Sequence, residues 1–545
     1  MSRTPGPGAG GATPGSDARG VPWWMTAVLY QVYPRSFADS DGDGHGDIRG
    51  IIEHLDHLQW LGIDGIWLSP VTVSPNADWG YDVADFCAVQ PDLGTIGDLD
   101  LLIAEAGERG IRVLMDLVPN HTSDRHPWFV ESRSSSTTPR RGWYVWADPG
   151  PDGAEPNNWV SSFGGPAWTL DAASGQYYLH NHLVEQPDLN WWNEEVREAF
   201  DGIMAFWTAR GIAGFRIDVC NVIIKDAQLR DNPAATADDD FEAQLFGQRS
   251  VYNANRPEVH EVLRRWRGLA DSWGPPSVLI GETPVKVGEL AAYYGDGSDE
   301  LHLAFNFPFL TAPFDAEALR SVVEETEAML PPGAWPVWTG SNHDMSRFAS
   351  RWAAGDPARV RVAILMLLGL RGTPVLYQGD EIGLGDVPVA HEAMKDPLGV
   401  LYWPAYAGRD AMRTPMPWRN GPGGGFTDPG AEPWLPLGDT AGCNVEDQRD
   451  DPGSMLTLTR DLIGLRRAAT DLQTGGYTSL PTPPGTWAWR RGDHHLVALN
   501  LTDRPQVLEV GEGRVLVATD RTRDGEVFND RLTVGPSEGL VARQR

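Results

Sequence analysis

The sequence has little cysteine, few basic residues and no long apolar run. Its three cysteines, Cys87, Cys220 and Cys443, are too few for a disulfide framework and lack metal-site spacing, which favours a reducing compartment. With 44 Lys and Arg against 75 Asp and Glu, the net charge of -31 argues against nucleic acid and anionic membranes as partners. No stretch reaches the length of a membrane span, and the first residues lack the charged start and apolar middle of a signal peptide. We therefore expect a cytoplasmic protein that binds a neutral small molecule.

The chain does have a repeated alternation of short β-branched-rich runs with amphipathic, helix-like segments, which begins at Val28. Eight such alternations favour the α/β class and a closed (β/α)8 TIM barrel of parallel strands. Residues 1–20 are rich in Gly, Pro, Ser and Ala, and we predict that they form a disordered tail. The candidate strands are residues 28–33, 64–69, 111–118, 213–219, 278–282, 301–307, 337–341 and 373–377.

Two segments lie outside this repeat. Between the third and fourth candidate strands the chain has about ninety residues rich in Trp, Ser, Pro and Asn, far more than a barrel loop needs. We predict that residues 119–195 form an inserted subdomain B and that residues 21–118 and 196–470 form the catalytic barrel. Residues 471–545 alternate short strand-like runs with Gly, Asp and Pro, which indicates a C-terminal antiparallel β-domain.

Acidic residues lie at or just beyond the ends of four candidate strands. Asp116, Asp218 and Glu282 end apolar runs, and Asp344 follows the seventh run. The carboxyl ends of barrel strands share one rim, which is where catalytic groups of such barrels lie. Several carboxylates at one rim are what cleavage of a glycosidic bond requires.

The segments around these residues, taken in order, resemble the four signature regions of the α-amylase family of glycoside hydrolases, family 13. They are residues 116–121, 214–218, Glu282 and residues 342–344. Residues 186–190, Gln-Pro-Asp-Leu-Asn, are similar to the motif of the oligo-1,6-glucosidase branch, and residues 408–418 are similar to the α-glucosidase segment after strand eight. The resemblance implies a glycoside hydrolase of the α-glucosidase or oligo-1,6-glucosidase type that retains anomeric configuration.

By this resemblance, three carboxylates are catalytic. Asp218 is the nucleophile that forms a covalent glucosyl-enzyme, and Glu282 is the acid that then becomes the base. Asp344 binds sugar hydroxyls and favours the distorted ring of the transition state. Arg216, two residues before Asp218 on the same strand, points to the same face, where its guanidinium is expected to keep Asp218 ionised.

The resemblance also implies a set of residues that contact the substrate. Asp78 and Arg413 resemble the pair that closes the pocket behind one glucose in exo-acting members, although a surface salt bridge is the competing interpretation. Val219 matches the Val that the branch associates with α-1,6 preference. Met345 begins a Met-Ser-Arg sequence where the branch usually has Gln-Pro-Arg. The predicted set is Asp78, Tyr81, Asp116, His121, Phe163, Arg216, Val219, His343, Arg347 and Arg413.

An acidic loop follows the first candidate strand. Its carboxylates alternate with glycines that permit a tight turn, an arrangement that hard cations prefer. The loop resembles the calcium loop of oligo-1,6-glucosidases, and a solvated acidic turn is the alternative. We predict a structural Ca²⁺, with Mg²⁺ also possible, and no cofactor for catalysis. The predicted ligands are the side chains of Asp39, Asp41, Asp43 and Asp47 and the carbonyl of His45.

These observations predict an exo-acting, retaining α-glucosidase that releases glucose from the non-reducing end of short α-1,4- or α-1,6-linked oligosaccharides. One alternative is a transglucosylase or sucrose/maltose isomerase of the same family, which shares the catalytic set. Another is an inactive relative that serves as an interaction subunit, but such relatives have lost catalytic residues that this chain keeps. The expected partner is a small oligosaccharide, with no nucleic acid and no membrane, and the expected state is a monomer or homodimer.

Overall fold

The computed structural model describes residues 20–239 and 241–545. The predicted disordered tail therefore lies outside the described residues, apart from Gly20. Eight parallel strands form the central sheet, and each falls within one of the candidate runs. The strands β1 to β8 are Leu29–Val32, Gly65–Leu68, Arg112–Leu117, Gly214–Ile217, Val278–Gly281, Leu303–Ala304, Val337–Trp338 and Thr373–Tyr377.

The sheet curls into a barrel. Its strand order is β6-β5-β4-β3-β2-β1-β8-β7, and a parallel bridge from Phe305 to Val337 joins the two ends. β1, β2, β4, β5 and β8 are buried along their whole length, which explains why they are mostly apolar on both faces. The fold class predicted from the sequence is confirmed.

Side chains of the barrel strands alternate between two apolar cores. Leu29, Trp67, Leu114 and Val375 pack with one another inside the barrel. Their neighbours along the strands, such as Tyr30, point outward and pack against the helices. This period of two is the strand geometry that fills a small barrel with side chains.

The barrel helices surround the sheet, and capping residues set several of their starts. In one example, Thr95 and Asp98 form a reciprocal capping box at the start of the helix after β2, which satisfies backbone donors that have no partner within the helix. No helix in the described ranges is long and apolar enough to cross a membrane. In chain order the barrel helices are Ile48–Glu53, Leu55–Leu61, Ile96–Glu108, Glu194–Thr208, Val259–Ser272, Val287–Leu290, Ala316–Met329, Pro357–Gly369 and Met455–Ala468.

Shorter helices lie in the connections between these elements. The α-helical ones are Trp23–Thr26, Pro127–Ser134, Phe241–Phe246, Phe307–Thr311, Phe348–Arg351, Pro397–Tyr402, Val445–Arg449 and Thr470–Thr474. The 3-10 helices are Pro34–Ser36, Pro91–Leu93, Arg141–Trp143, Pro151–Gly153, Cys220–Val222, Ala291–Tyr294, Asp380–Ile382, His391–Ala393, Asp410–Met412 and Arg521–Arg523.

Antiparallel strands occur in the insertions and at the C-terminus. Thr72–Val73 pairs with Asp85–Val89 after β2, and Trp146–Ala147, Trp168–Asp171 and Gln176–Leu179 form a three-stranded sheet between β3 and β4. The C-terminal region has a six-stranded and a two-stranded antiparallel sheet with an apolar core of their own. The boundaries 119–195 and 471–545 stay predictions. The C-terminal strands are Tyr477–Leu480, Thr486–Arg491, His495–Asn500, Gln506–Glu509, Gly513–Ala518, Val527–Phe528, Arg531–Val534 and Glu538–Gln544.

Candidate active site

The side chain of Arg216, on β4, holds three carboxylates at the C-terminal rim of the barrel. Its Nη1 donates to Oδ1 of Asp116 at 2.9 Å and to Oδ1 of Asp218 at 2.7 Å, and its Nη2 lies 2.8 Å from Oε2 of Glu282. The backbone N–H groups of Asp218 and Glu282 extend the strand ladders by one residue beyond β4 and β5. Adjacent parallel strands therefore bring these side chains to one point, as the sequence predicted.

The three carboxylates share a single cation. Burial raises the pKa of Asp218 well above its usual range and that of Asp116 to about 6, and attraction to Arg216 opposes this only in part. One guanidinium cannot balance the charges around it, so burial favours the protonated forms of Asp116 and Asp218. Arg216 thus orients Asp218 but does not by itself offset the cost of burying its charge, contrary to the expectation from the sequence.

Val219, directly after Asp218, holds an unusual backbone conformation. Its φ of 35° and ψ of 47° lie in the left-handed region, which a β-branched residue rarely adopts. The conformation aims the Val219 N–H at Oε2 of Glu282, 2.8 Å away. Since Oε2 already contacts Arg216, Oε1 is the oxygen of Glu282 that is left to carry a proton. Such strain often marks a functional site.

One wall of the site is a chain of hydrogen bonds that ends at Asp116. Gln31 Nε2 lies 2.8 Å from Nδ1 of His343, whose Nε2 makes a short hydrogen bond with the Tyr81 hydroxyl. Tyr81 in turn donates to Asp116 Oδ2 at 3.2 Å, and its ring stacks on His343 with the planes 13° apart. Burial lowers the pKa of His343 to about 3, although Asp344 opposes the shift, so the imidazole is neutral at pH 7.

His121 lies beside this wall and is also neutral. Its Nδ1 is 3.1 Å from the side-chain nitrogen of Asn120, and its Nε2 is 3.0 Å from the carbonyl oxygen of Tyr81. Burial lowers its pKa to about 3. Gln186 Nε2 lies 3.1 Å from the same Nε2 and donates to Asp78 Oδ2 at 3.2 Å. A residue of the insertion thus connects the two sides of the site.

Arg409 makes a second ionic cluster opposite Arg216. It pairs with Asp78 at 2.8 Å, with Asp344 at 3.1 Å and with Asp396 at 2.7 Å, while Arg413 donates to Asp344 Oδ1 at 2.6 Å. The direct ionic partner of Asp78 is therefore Arg409, whereas Arg413 lies on Asp344. Asp396 explains the difference, since it accepts both the backbone N–H and the guanidinium of Arg409 and so holds that side chain toward Asp78. The closing of the pocket by Asp78 and Arg413 stays a prediction.

The two carboxylates of this cluster respond differently to burial. Burial raises the pKa of Asp78, and attraction to Arg409 and Arg413 only limits the rise. Burial acts in the same direction on Asp344, but His343, Arg409 and Arg413 together outweigh it and hold the pKa of Asp344 far below its usual range. Asp344 is consequently ionised throughout the neutral pH range.

Two predicted substrate residues differ in their placement. Phe163 lies under the guanidinium of Arg409, with 5.6 Å between Cζ and the ring centroid, so it borders the pocket. Arg347 is fully buried and donates to the carbonyl oxygens of Gln378 and Met412. These contacts hold the backbone after β8, and the substrate contact of Arg347 stays a prediction.

Three residues of the site were not predicted from the sequence. Arg409 and Gln186 lie inside the segments 408–418 and 186–190, so a signal for both was present. Asp396 had none, because it is a single acidic residue in a Gly- and Pro-rich segment. Only its contact with Arg409, thirteen residues further along the chain, identifies it.

The acidic loop after β1 brings three of its predicted metal ligands together. Asp39, Asp41 and Asp43 each offer a carboxylate oxygen, and these oxygens lie within 4.8 Å of one another. Burial and the charge of Asp43 raise the pKa of Asp41. Clustered carboxylate oxygens are a donor set that fits Ca²⁺.

The remaining predicted ligands of this loop make other contacts. Asp47 lies outside the group of three, and its Oδ1 accepts from Ser40 and from the backbone of Gly50. It thereby caps the helix Ile48–Glu53, an N-terminal role that Asp commonly fills. His45 places its ring 6.1 Å from that of Trp434.

Comparison with known proteins agrees with this geometry. Residues 31–475 match the profile of the family "Alpha amylase, catalytic domain". A probable alpha-glucosidase of Rhizobium meliloti is 43% identical over 466 residues, which are 83% of this chain and 84% of that protein. An oligo-1,6-glucosidase of Parageobacillus thermoglucosidasius is 37% identical, over 90% of this chain and 92% of its own.

A solved structure extends the likeness to three dimensions. A crystal structure of an alpha-glucosyl transfer enzyme has a TM-score of 0.90 and 40% sequence identity, and the match covers 96% of this chain and 99% of that chain. The family predicted from the motifs is confirmed. The chain therefore belongs to the α-amylase family of glycoside hydrolases.

Proposed function

We propose that this glycoside hydrolase is an exo-acting, retaining α-glucosidase that releases glucose from short α-glucosides. The observation that carries the proposal is the single guanidinium of Arg216, which contacts both Asp218 and Glu282 at 2.7–2.8 Å. Retaining enzymes need such a close pair of carboxyl groups, one to attack the anomeric carbon and one to protonate the leaving oxygen.

In the first step, Asp218 attacks the anomeric carbon. Its Oδ1 accepts from Arg216, so Oδ2 is the attacking oxygen. As the ester bond to the sugar forms, the bond from the anomeric carbon to the leaving oxygen breaks. Glu282 gives the proton on Oε1 to that oxygen. In the second step, Glu282 takes a proton from water, the water oxygen attacks the same carbon, and Asp218 leaves as a carboxylate.

The contacts of Glu282 support these roles. Glu282 Oε2 accepts from Arg216 and from the Val219 N–H, so Oε1 is the oxygen that would face the leaving group. A general acid needs one oxygen placed in this way toward the group that it protonates.

The second cluster supports the exo mode of action. Arg409 joins Asp78 to Asp344, and we infer that this pair closes the pocket behind one glucose unit. His121, His343 and Tyr81 would contact that glucose from the side, with Asp344 and Arg413 on its hydroxyl groups. A closed pocket accepts only the non-reducing end, so each further sugar adds little binding.

A second candidate function is glucosyl transfer to a sugar hydroxyl. The similarity to an alpha-glucosyl transfer enzyme favours it, and the catalytic set is the same for both reactions. Product analysis by chromatography at low and high sugar concentration separates the two. Hydrolysis gives free glucose at every concentration, whereas a transferase forms new disaccharides or trisaccharides as the acceptor concentration rises.

Proton NMR of the first product tests the mechanism. With an aryl α-glucoside as substrate, two displacements at one carbon should yield α-glucose first. A panel of maltose, isomaltose, sucrose, trehalose and soluble starch then tests the exo mode, with glucose expected as the only small product at early times. Initial β-glucose would disprove retention, and early maltose from starch would show an open cleft.

We also propose that Asp39, Asp41 and Asp43 hold a structural Ca²⁺, with Mg²⁺ as the alternative ion. The cation would offset the repulsion among these carboxylates and brace a loop that lies away from the scissile bond. Because an ion bound only to the native state stabilises it by mass action, EDTA should lower Tm more than it lowers the activity that remains at 25 °C. A variant with Asp41→Ala and Asp43→Ala is the control, since EDTA should not affect its Tm. An equal EDTA response in both proteins would disprove the site.

The cytoplasmic location and the monomeric or homodimeric state remain our proposals for this enzyme. Size-exclusion chromatography with light scattering tests the second directly. A mass above twice 59.7 kDa would contradict it.

A further inference from the structure

A patch of exposed apolar and aromatic side chains lies in the segment between β8 and the helix Met455–Ala468. Five large hydrophobic residues within seven positions are 38–62% exposed, a concentration that the other exposed hydrophobic residues of the described chain do not have. Exposed apolar patches of this kind usually mark a binding surface. They are Val400, Leu401, Tyr402, Trp403 and Tyr406, and we call this set the aromatic patch.

The patch is fixed to the inserted segment at the edge of the candidate pocket. The Tyr402 hydroxyl donates to the carbonyl oxygen of Phe163 at 2.6 Å. Gly164, at a φ of +87°, lets the two segments approach, since a Cβ at this position would collide with the Tyr402 hydroxyl. Phe163 itself lies under the guanidinium of Arg409. The patch therefore adjoins the ionic cluster that we place at the sugar.

Short-range structure holds the patch in one conformation. The backbone N–H of Tyr406 donates to the carbonyl oxygen of Tyr402, and the ring of Trp403 stacks on that of His391 at 5.5 Å. Three residues after Tyr406, Arg409 is anchored by Asp396. These contacts make the patch a preformed surface, which lowers the entropy lost when a ligand binds.

Tyr406 is the member of the patch nearest in the chain to Arg409. It is 44% exposed and lies three residues before Arg409, whose guanidinium contacts Asp344. Burial raises the pKa of the Tyr406 hydroxyl, Arg409 lowers it, and Asp396 and Asp344 raise it. A leaving group that projects from a glucose held by Asp344 would pass this ring.

We propose that the aromatic patch is an aglycone-binding platform that favours α-glucosides whose leaving group has an aryl or alkyl face. This inference rests on the proposed glucosidase function and adds the class of leaving group. Residues 400–407 contain no charged side chain and no amide side chain, so they offer few groups for the hydroxyls of a second sugar. An aryl or alkyl group needs only apolar contact and ring stacking.

The experiment compares three substrates in the full-length enzyme. p-Nitrophenyl α-glucoside carries an aryl leaving group, maltose carries a sugar, and α-glucosyl fluoride carries a leaving group too small to touch the patch. In Tyr406→Ser, the ratio of kcat/KM for the aryl glucoside to that for α-glucosyl fluoride should fall about tenfold, which is the size expected for one stacking contact. The ratio of maltose to α-glucosyl fluoride should change by less than threefold.

Three matched variants complete the test. Tyr406→Phe keeps the ring and should restore the aryl ratio, and Trp403→Ala should lower it in the same direction as Tyr406→Ser. Val527→Ser removes an exposed apolar side chain of the C-terminal region and should leave the ratio unchanged. An equal loss for all three substrates in Tyr406→Ser, or an unchanged aryl ratio, would overturn the platform.

The same data separate this inference from the proposed function. If the unmodified enzyme releases no glucose from any of the three substrates, the proposed function fails. If it hydrolyses them but the maltose ratio falls as far as the aryl ratio, the patch binds sugars, and the assignment to apolar leaving groups is disproved while the glucosidase function stands.

Discussion

Replacing Arg409 by Ala tests how the second cluster shapes the pocket. The side chain is 11% exposed and lies within 3.1 Å of three carboxylates. Removing one partner of a buried ion pair costs about 3–5 kcal/mol, because the remaining charge is left without compensation. The three pairs do not add, since Asp344 keeps Arg413 and Asp78 can take up a proton.

This loss of stability should be visible as a modest shift in Tm. At roughly 2.1 cal/mol/K of unfolding entropy per residue, a chain of 545 residues loses about 3–4 °C for such a change. The catalytic effect should be larger, because Asp344 and Asp78 would no longer be held in place. We expect kcat/KM for maltose or isomaltose to fall ~10²- to 10³-fold, equivalent to about 3–4 kcal/mol of transition-state stabilisation.

A double-mutant cycle with Asp78→Asn isolates the pair. If Arg409 and Asp78 act together, the second substitution should cost at least about tenfold less in the Arg409→Ala background than in the unmodified enzyme. Arg409→Lys keeps the charge but not the fork that contacts several carboxylates, and should give an intermediate loss. Arg109→Ala, which breaks an exposed pair with Asp56, is the control and should change neither quantity by much. Additive effects on kcat/KM would refute the closed pocket.

Three further outcomes are expected. Asp218→Asn should lower turnover by several orders of magnitude with an unchanged circular dichroism spectrum, because an amide cannot form the glycosyl ester. Glu282→Gln should retain the first step with activated aryl glucosides in pre-steady-state assays. Substantial maltose activity in both variants would contradict the proposed roles of Asp218 as nucleophile and Glu282 as acid. Burial raises the pKa of Asp380 to about 7, above the value of roughly 4 in an unfolded chain. Folding therefore takes up a proton between these pH values, and stability falls as pH rises from 4 to 7. Asp380→Asn should have a smaller difference in Tm between pH 5 and pH 8 than the unmodified protein, and an equal difference would refute the assignment. Val219→Thr should shift the ratio of isomaltose to maltose hydrolysis toward maltose, and a constant ratio would remove Val219 from linkage selection.

Much of the fold could be predicted because the barrel strands are mostly apolar on both faces. A strand such as Val278–Gly281 is buried at every position and therefore appears in the sequence as an uninterrupted apolar run between turn residues. The proposed catalytic residues Asp218 and Glu282 follow from the same geometry, since each stands at the end of such a run, and Asp344 follows the seventh run. The carboxyl ends of the parallel strands share one rim of the barrel, so residues at these ends lie close together whatever the loop conformations are.

The protonation of the site could not be predicted in the same way. Placing Arg216 beside Asp218 suggested a stable carboxylate, because the sequence shows the pair but not its surroundings. The structure adds Asp116 and Glu282 to the same guanidinium and buries the group. Desolvation then dominates over one ion pair, which is a property of the packed site and not of any motif.

The direct partner of Asp78 could not be predicted for a similar physical reason. Arg409 and Arg413 flank the 3-10 helix Asp410–Met412, and both reach Oδ1 of Asp344. By spacing alone, these two arginines are equivalent candidates for the ionic partner of Asp78. The choice between them is made by Asp396, whose carboxylate accepts from the backbone and the guanidinium of Arg409. Asp410 contributes by accepting the N–H of Asp396, which fixes that carboxylate. A contact across thirteen residues of the chain thus selects which arginine pairs with Asp78, and residues 397–408, which carry the aromatic patch, lie between its two ends.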